Sequence, residues 1–157
     1  MRTRLAIHGA CGRMGRRLIA LAREDASLQV AAAIDSPKHA FLGCDAGELA
    51  GVGALGVLVS AELALDAQVD CLIDFSSPAG TLAILPTCVA RRIPVVVATT
   101  GHESHEKAEI AAAAHHTAVM FSPARASTSR LSNGTTATRK TRRAARRRTS
   151  RRSCRTP

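Results

Sequence analysis

The stretch Leu5-Ala6-Ile7-His8-Gly9-Ala10-Cys11-Gly12-Arg13-Met14-Gly15 constrains this chain more than any other. A short apolar run ends at a glycine. Two more glycines follow at intervals of three, and apolar residues Met14, Leu18, Ile19 and Leu21 then recur at roughly helical spacing. Strand, glycine turn and helix in that order suit a dinucleotide. Gly9 makes the tight turn, Gly12 lets the backbone approach a pyrophosphate, and Gly15 lets the helix lie close on the strand. The helix start offers free N–H groups and a partial positive charge to the phosphates. Asp35 closes a second apolar run, Val30-Ala31-Ala32-Ala33-Ile34. An acid at that distance from the glycines accepts a hydrogen bond from an adenosine ribose 2′-hydroxyl.

The rest of the body repeats the alternation. Strands are expected at 3–8, 28–35, 57–59, 71–75, 94–98 and 118–121, and helices at 13–24, 61–67, 79–91 (with a bend at Pro86) and 103–115. Phe41 to Gly53 is glycine-rich and reads as loop with one short helical turn. Three consecutive valines, Val95 to Val97, suit a strand covered on both faces. Alternating strands and helices predict a Rossmann-like, doubly wound parallel sheet with right-handed crossovers. The turns at Gly9–Gly15, Asp35, Phe75–Pro78 and Thr99–Gly101 then share the carboxyl edge of the sheet, where such folds bind ligands.

Composition bounds the remainder. The chain has 157 residues, 46% of them hydrophobic, with no Trp or Tyr and three Phe, so its core must be aliphatic and alanine-rich. No apolar run approaches the ~18 residues of a membrane span, and no membrane partner is expected. The N-terminus enters a strand pattern at once, without an export signal, so a cytoplasmic protein with reduced thiols is expected. The five cysteines form no CxxC pair, Cys71 and Cys88 read as core, and no metal is expected.

The four edge turns resemble those of the dihydrodipicolinate reductase family, the 4-hydroxy-tetrahydrodipicolinate reductases of lysine and diaminopimelate biosynthesis. The likeness is carried by Gly9-Ala10-Cys11-Gly12-Arg13-Met14-Gly15, Gly43-Cys44-Asp45-Ala46-Gly47-Glu48, Ile73-Asp74-Phe75-Ser76-Ser77-Pro78-Ala79-Gly80-Thr81 and Ala98-Thr99-Thr100-Gly101, and covers about residues 3–123. Homoserine-dehydrogenase-like and other Rossmann reductases are the alternatives within the enzyme class, but they lack the Asp74–Thr81 piece. The resemblance implies an NAD(P)H-dependent oxidoreductase that passes a hydride to a cyclic unsaturated diacid imine. It implies cofactor contacts from Gly9, Ala10, Cys11, Gly12, Arg13, Met14, Asp35, Phe75, Ala98, Thr99, Thr100, Ser122 and Pro123. Asp35 disfavours a 2′-phosphate, while Lys38 and Arg13 offset that repulsion, so both cofactors are expected with NADH preferred.

The family pattern continues with a substrate and oligomerisation domain bearing a histidine pair, a lysine and a Pro-Ser-Gly-Thr loop. None of these follows Pro123 here. His115-His116 closes a helix of the cofactor domain and is not that pair. The domains expected are therefore 1–124, dinucleotide-binding, and 125–157, a disordered basic tail. Residues 125–157 hold 12 of the 22 Lys and Arg and no acid, which leaves 10 basic and 12 acidic residues in the body. A tail with one Leu as its only large apolar residue cannot bury enough surface to fold. Arginine clusters neutralise phosphates, so a nucleic-acid-binding arm is the alternative function. The abrupt change of composition near Ala124 favours a shifted reading frame instead, which translation of the source DNA in the other frames would test. As a reductase the chain is expected to hold only the cofactor half of the enzyme and to lack turnover; on the alternative it is a dinucleotide-binding domain with a basic arm.

Overall fold

The computed structural model describes residues 1–121. Six strands form one parallel sheet: β1 (Thr3–His8), β2 (Leu28–Ile34), β3 (Val59–Ser60), β4 (Cys71–Asp74), β5 (Val95–Val97) and β6 (Val119–Phe121). Their order across the sheet is β3-β2-β1-β4-β5-β6, the doubly wound order, with β1 at the centre. The helices are α1 (Arg13–Glu24), α2 (Ala46–Ala50), α3 (Pro78–Ala90) and α4 (Ser104–Ala113).

Alternation along β1 splits the core in two. Leu5 and Ile7 face one way and pack with Ile19 and Ala22 of α1, together with Val30, Ala33 and Val59. Ala6 faces the other way, among Ala32, Leu72, Val95 and Val97, with Ile84, Leu85 and Cys88 of α3 and Ile110 of α4. Both faces of the sheet are thus covered, as a parallel sheet requires. The missing aromatic bulk is made up by alanines that let helix and sheet approach closely.

Each helix start is set by its own residues. Pro78 occupies the first turn of α3, and the Ser77 hydroxyl accepts from Gly80 N at 3.2 Å. The helix runs unbroken through Pro86. Glu103 N donates to Glu106 Oε2 at 2.7 Å before α4. Asp45 heads α2 and accepts from Gly47, Glu48, Leu55 and Gly56 amides, which ties the 45–56 loop to one carboxylate.

Two expectations need correction. Residues 61–67 form turns, not a helix. Leu63, Ala67 and Val69 still pack on the core beside α3. Arg91 instead captures the carbonyls that a helix would have used, donating to Ala64 O at 3.0 Å and to Ala67 O. The strand expected at 57–59 lies at Val59–Ser60, because Leu58 pairs in antiparallel fashion with Asp45. His115 and His116 fall in the turn after α4, exposed, away from the carboxyl edge of the sheet. Among the described residues no helix is long and apolar enough to cross a membrane.

Candidate dinucleotide site

The turn between β1 and α1 is built by two glycines that no other residue replaces. Gly9 sits at φ +78°, and a Cβ there would lie 2.6 Å from Phe75 O, in the turn after β4. A Cβ at Gly15 would lie 2.2 Å from Gly9 O and 2.7 Å from Ala10 Cα. The first turn of α1 therefore lies directly on the loop. Gly12 is different: its nearest obstruction is Gly9 O at 3.2 Å, so its space is needed by nothing in the described fold beyond that contact.

Helix α1 also begins without a conventional cap. Gly12 has no side chain to offer, and the first turn contains no acid. Among the described residues the amides of Arg13, Met14 and Gly15 have no backbone acceptor. Free amides with Arg13, Arg16 and Arg17 around them make a positive helix start that favours an anion. Arg16 is partly committed: its Nε donates to Cys11 O at 2.9 Å and its guanidinium lies 5.3 Å above the Phe41 ring.

Asp35 follows β2 and reaches back to this turn. Its Oδ2 accepts from Cys11 N at 2.8 Å, and its Oδ1 accepts from Ser36 N at 2.8 Å. Each oxygen keeps a lone pair for a further donor. The carboxylate is thus fixed beside the glycine turn and remains partly exposed. The Cys11 thiol beneath it is buried, and burial together with the Asp35 charge pushes its pKa up to about 11.

A second acid, Asp74, ends β4 and is fully buried. It accepts from Ser76 Oγ at 2.6 Å, Ser76 N at 3.0 Å, Thr99 Oγ1 at 3.1 Å and Thr81 Oγ1. His8 Nδ1 stands 3.0 Å from Asp74 Oδ1 without an aligned hydrogen bond. Burial pushes the Asp74 pKa up, but the His8, Ser76 and Thr81 contacts outweigh it, and the carboxyl is held below its ordinary value.

A cleft of about 930 Å³ opens between these elements, at the point where the chain turns from β1 towards opposite sides of the sheet. Gly9, Gly12, Asp35 and Phe75 all line it. Ala10 and Cys11 are buried in the turn, Arg13 and Met14 project outward at the start of α1, and none of the four lines the cleft. Ala98, Thr99 and Thr100 share the same sheet edge but lie outside it, and the Thr99 hydroxyl is turned inward to Asp74. Ser122 and Pro123 lie outside the described residues, as does the basic stretch 125–157. Sequence reasoning missed Pro37, His39, Glu62, Leu65, Gly80 and Thr87, which also line the cleft. The two residues from the β3–β4 crossover had a signal: any crossover from β3 must pass over this edge.

A six-stranded parallel sheet in this order, with a glycine turn and an acid at its switch point, defines a Rossmann-like dinucleotide-binding fold. The family model "Dihydrodipicolinate reductase, N-terminus" matches residues 3–124, and the chain belongs to that family. A 4-hydroxy-tetrahydrodipicolinate reductase from Acinetobacter baumannii is 47% identical over 120 residues, 75% of this chain and 43% of that protein. One from Alkalilimnicola ehrlichii is 44% identical over 124 residues, 78% of this chain and 46% of that protein. The chain thus spans less than half the length of these curated relatives. Among solved structures, a dipicolinate-bound dihydrodipicolinate reductase from Paenisporosarcina sp. TG-14 aligns with TM-score 0.54 and 20% identity, over 73% of this chain and 43% of that one. A myo-inositol dehydrogenase from Corynebacterium glutamicum aligns with TM-score 0.51 and 19% identity, over 74% and 33%. At these identities the two structures show the fold alone.

Proposed function

We propose that residues 3–124 are the cofactor-binding part of a 4-hydroxy-tetrahydrodipicolinate reductase and bind NAD(P)H, with NADH preferred. The observation that carries this reading is the Asp35 carboxylate, fixed on the Cys11 amide at the mouth of the cleft with acceptor capacity to spare. The cleft takes the adenosine half, the free amides of α1 take the pyrophosphate, and the nicotinamide lies towards Thr99–Gly101. When bound, the cofactor supplies the hydride, and the protein supplies orientation and electrostatics. A 2′-phosphate is disfavoured by Asp35, and Lys38 and Arg13 offset part of that repulsion.

Hydride transfer also needs the substrate held in a near-attack geometry, which contributes ~7–11 kcal/mol of the barrier. Residues 3–124 offer only the cofactor side of that geometry. The reading is tested by titrating NADH and NADPH into the wild-type chain and Asp35→Asn, followed by nicotinamide fluorescence. Asparagine keeps an acceptor for Cys11 N–H while removing the charge, which alanine would not. The preference should move towards NADPH by about tenfold, or ~1.4 kcal/mol. Equal loss of both cofactors would remove Asp35 from the ribose. In the same preparation, NADH mixed with substrate freshly made by the preceding synthase should not be consumed; steady substrate-dependent oxidation would show that the chain builds a substrate site of its own.

A further inference from the structure

Three side chains from separate stretches converge behind the glycine turn. Cys11 lies within the turn, Asp35 follows β2, and His39 lies in the loop beyond it. The thiol sulfur, a carboxylate oxygen and an imidazole nitrogen all lie within 4.8 Å of one another. Ligands on one tetrahedral zinc ion stand about 3–4 Å apart, given bond lengths of ~2.0–2.3 Å. The three donors therefore need to close by only about 1 Å around such an ion. Their spacing in sequence matches no metal motif, and only the fold brings them together.

The surroundings hold the donors in place. Cys11 N and Ser36 N orient the Asp35 carboxylate from behind, as outer partners of a metal ligand do. The His39 ring rests 5.4 Å from Phe41, which is itself covered by Arg16. Among the described residues, the one side-chain hydrogen bond His39 gives up on turning is a long one, 3.3 Å from Phe41 N to Nδ1. Asp35 and His39 line the cleft, so an ion enters from there to reach the buried Cys11. On binding, the ion displaces the Cys11 thiol proton to solvent, and the thiolate so formed balances a dication together with the Asp35 carboxylate. Sulfur with nitrogen selects a zinc-class ion over magnesium or calcium.

We propose that Cys11, Asp35 and His39 form a binding site for a zinc-class divalent ion, and that this ion and the dinucleotide exclude each other. The exclusion rests on Asp35 reading the ribose; the metal site does not. The test uses the full chain under a non-chelating reductant, titrated with Co²⁺. One equivalent should bind and give a sulfur-to-cobalt charge-transfer band. Cys11→Ser should lose the band, Cys154→Ser should keep it, and His39→Gln should weaken cobalt binding by about tenfold or more. Circular dichroism and thermal unfolding check that each variant is folded, and the partly exposed His39 keeps the test decisive if Cys11→Ser is not. A missing band in the wild type, or one that survives Cys11→Ser, overturns the metal site. At a Zn²⁺ concentration that weakens NADH binding about tenfold in the wild type, the weakening in His39→Gln should be about twofold or less. Zinc bound with NADH affinity unaltered overturns the exclusion. NADH that fails to bind even without zinc overturns the dinucleotide reading, and the cobalt result is then judged alone.

Discussion

Two aspartates end neighbouring regions of the same sheet edge and are used in opposite ways. Asp74 is fully buried, and its oxygens are taken up by Ser76, Thr81 and Thr99, with His8 beside them. Asp35 is partly exposed, takes two backbone amides, and keeps capacity for a ligand. The difference lies in what surrounds each strand end. β4 is flanked by β1 and β5, and α3 begins directly over it, so Asp74 meets donors on every side. β2 has only the two-residue β3 beyond it, and a loop follows, so Asp35 meets open space on one side. An acid at a carboxyl edge is thus structural or available according to how many elements close over it.

The sharpest way to break the comparison is Asp74→Ala. Four donors then lose a buried partner, and the chain should lose about 3–5 kcal/mol in urea unfolding. Asp74→Asn should cost less, and its deficit should depend on pH. The folded carboxyl is held below its ordinary value. Its stabilisation is therefore complete above the unfolded range near pH ~4 and drains away as pH falls through the lower folded value. The gap between wild type and Asp74→Asn should be constant from neutrality to about pH 5 and narrow below about pH 4. A gap that ignores pH would mean the Asp74 carboxyl titrates alike folded and unfolded, and a gap that widens as pH falls would mean it is neutral in the native state.

The glycine turn offers the next contrast. Gly15→Ala drives a methyl into Gly9 O and Ala10, all of it backbone, and should cost about 3 kcal/mol or more. Gly12→Ala meets Gly9 O alone, at 3.2 Å, and should change stability by less than about 1 kcal/mol. Calorimetry separates the two. If Gly12 serves the pyrophosphate, its alanine variant should still lose NADH affinity about tenfold, ~1.4 kcal/mol. The smallest effect is expected at Arg92, which holds φ +53° directly after the Arg91 cap of α3. Arg92→Gly should stabilise the fold by about 0.5–1 kcal/mol, as the left-handed backbone suits glycine.

Much of this was legible in the chain itself. The strand-turn-helix order, Asp35 and the three-valine strand all announce a doubly wound sheet, because buried parallel strands write their pattern locally. What stayed hidden depends on contacts between distant residues. Residues 61–67 read as a short helix, yet Arg91, from the far end of α3, claims the carbonyls of Ala64 and Ala67. Thr99 belongs to a glycine-ended turn that reads as a ligand contact, but its hydroxyl is spent on Asp74. Cys11 reads as one of the expected cofactor contacts between the glycines, and only the return of the chain after β2 sets it beside Asp35 and His39.

The position of β1 bears on how the chain comes to be folded at all. β1 and β2 are joined through α1 alone, so that unit closes a short loop and can form early. The other edge of β1 belongs to β4, and the Arg4–Asp70 pair that leads into it spans 66 positions of sequence. During synthesis the most central strand of the molecule therefore stands half paired, offering free amides and carbonyls to any other strand, until that distance has been translated. Folding speed is set there, by the slow long-range closure. So is the risk of aggregation, which should rise whenever translation stalls between Ile34 and Cys71.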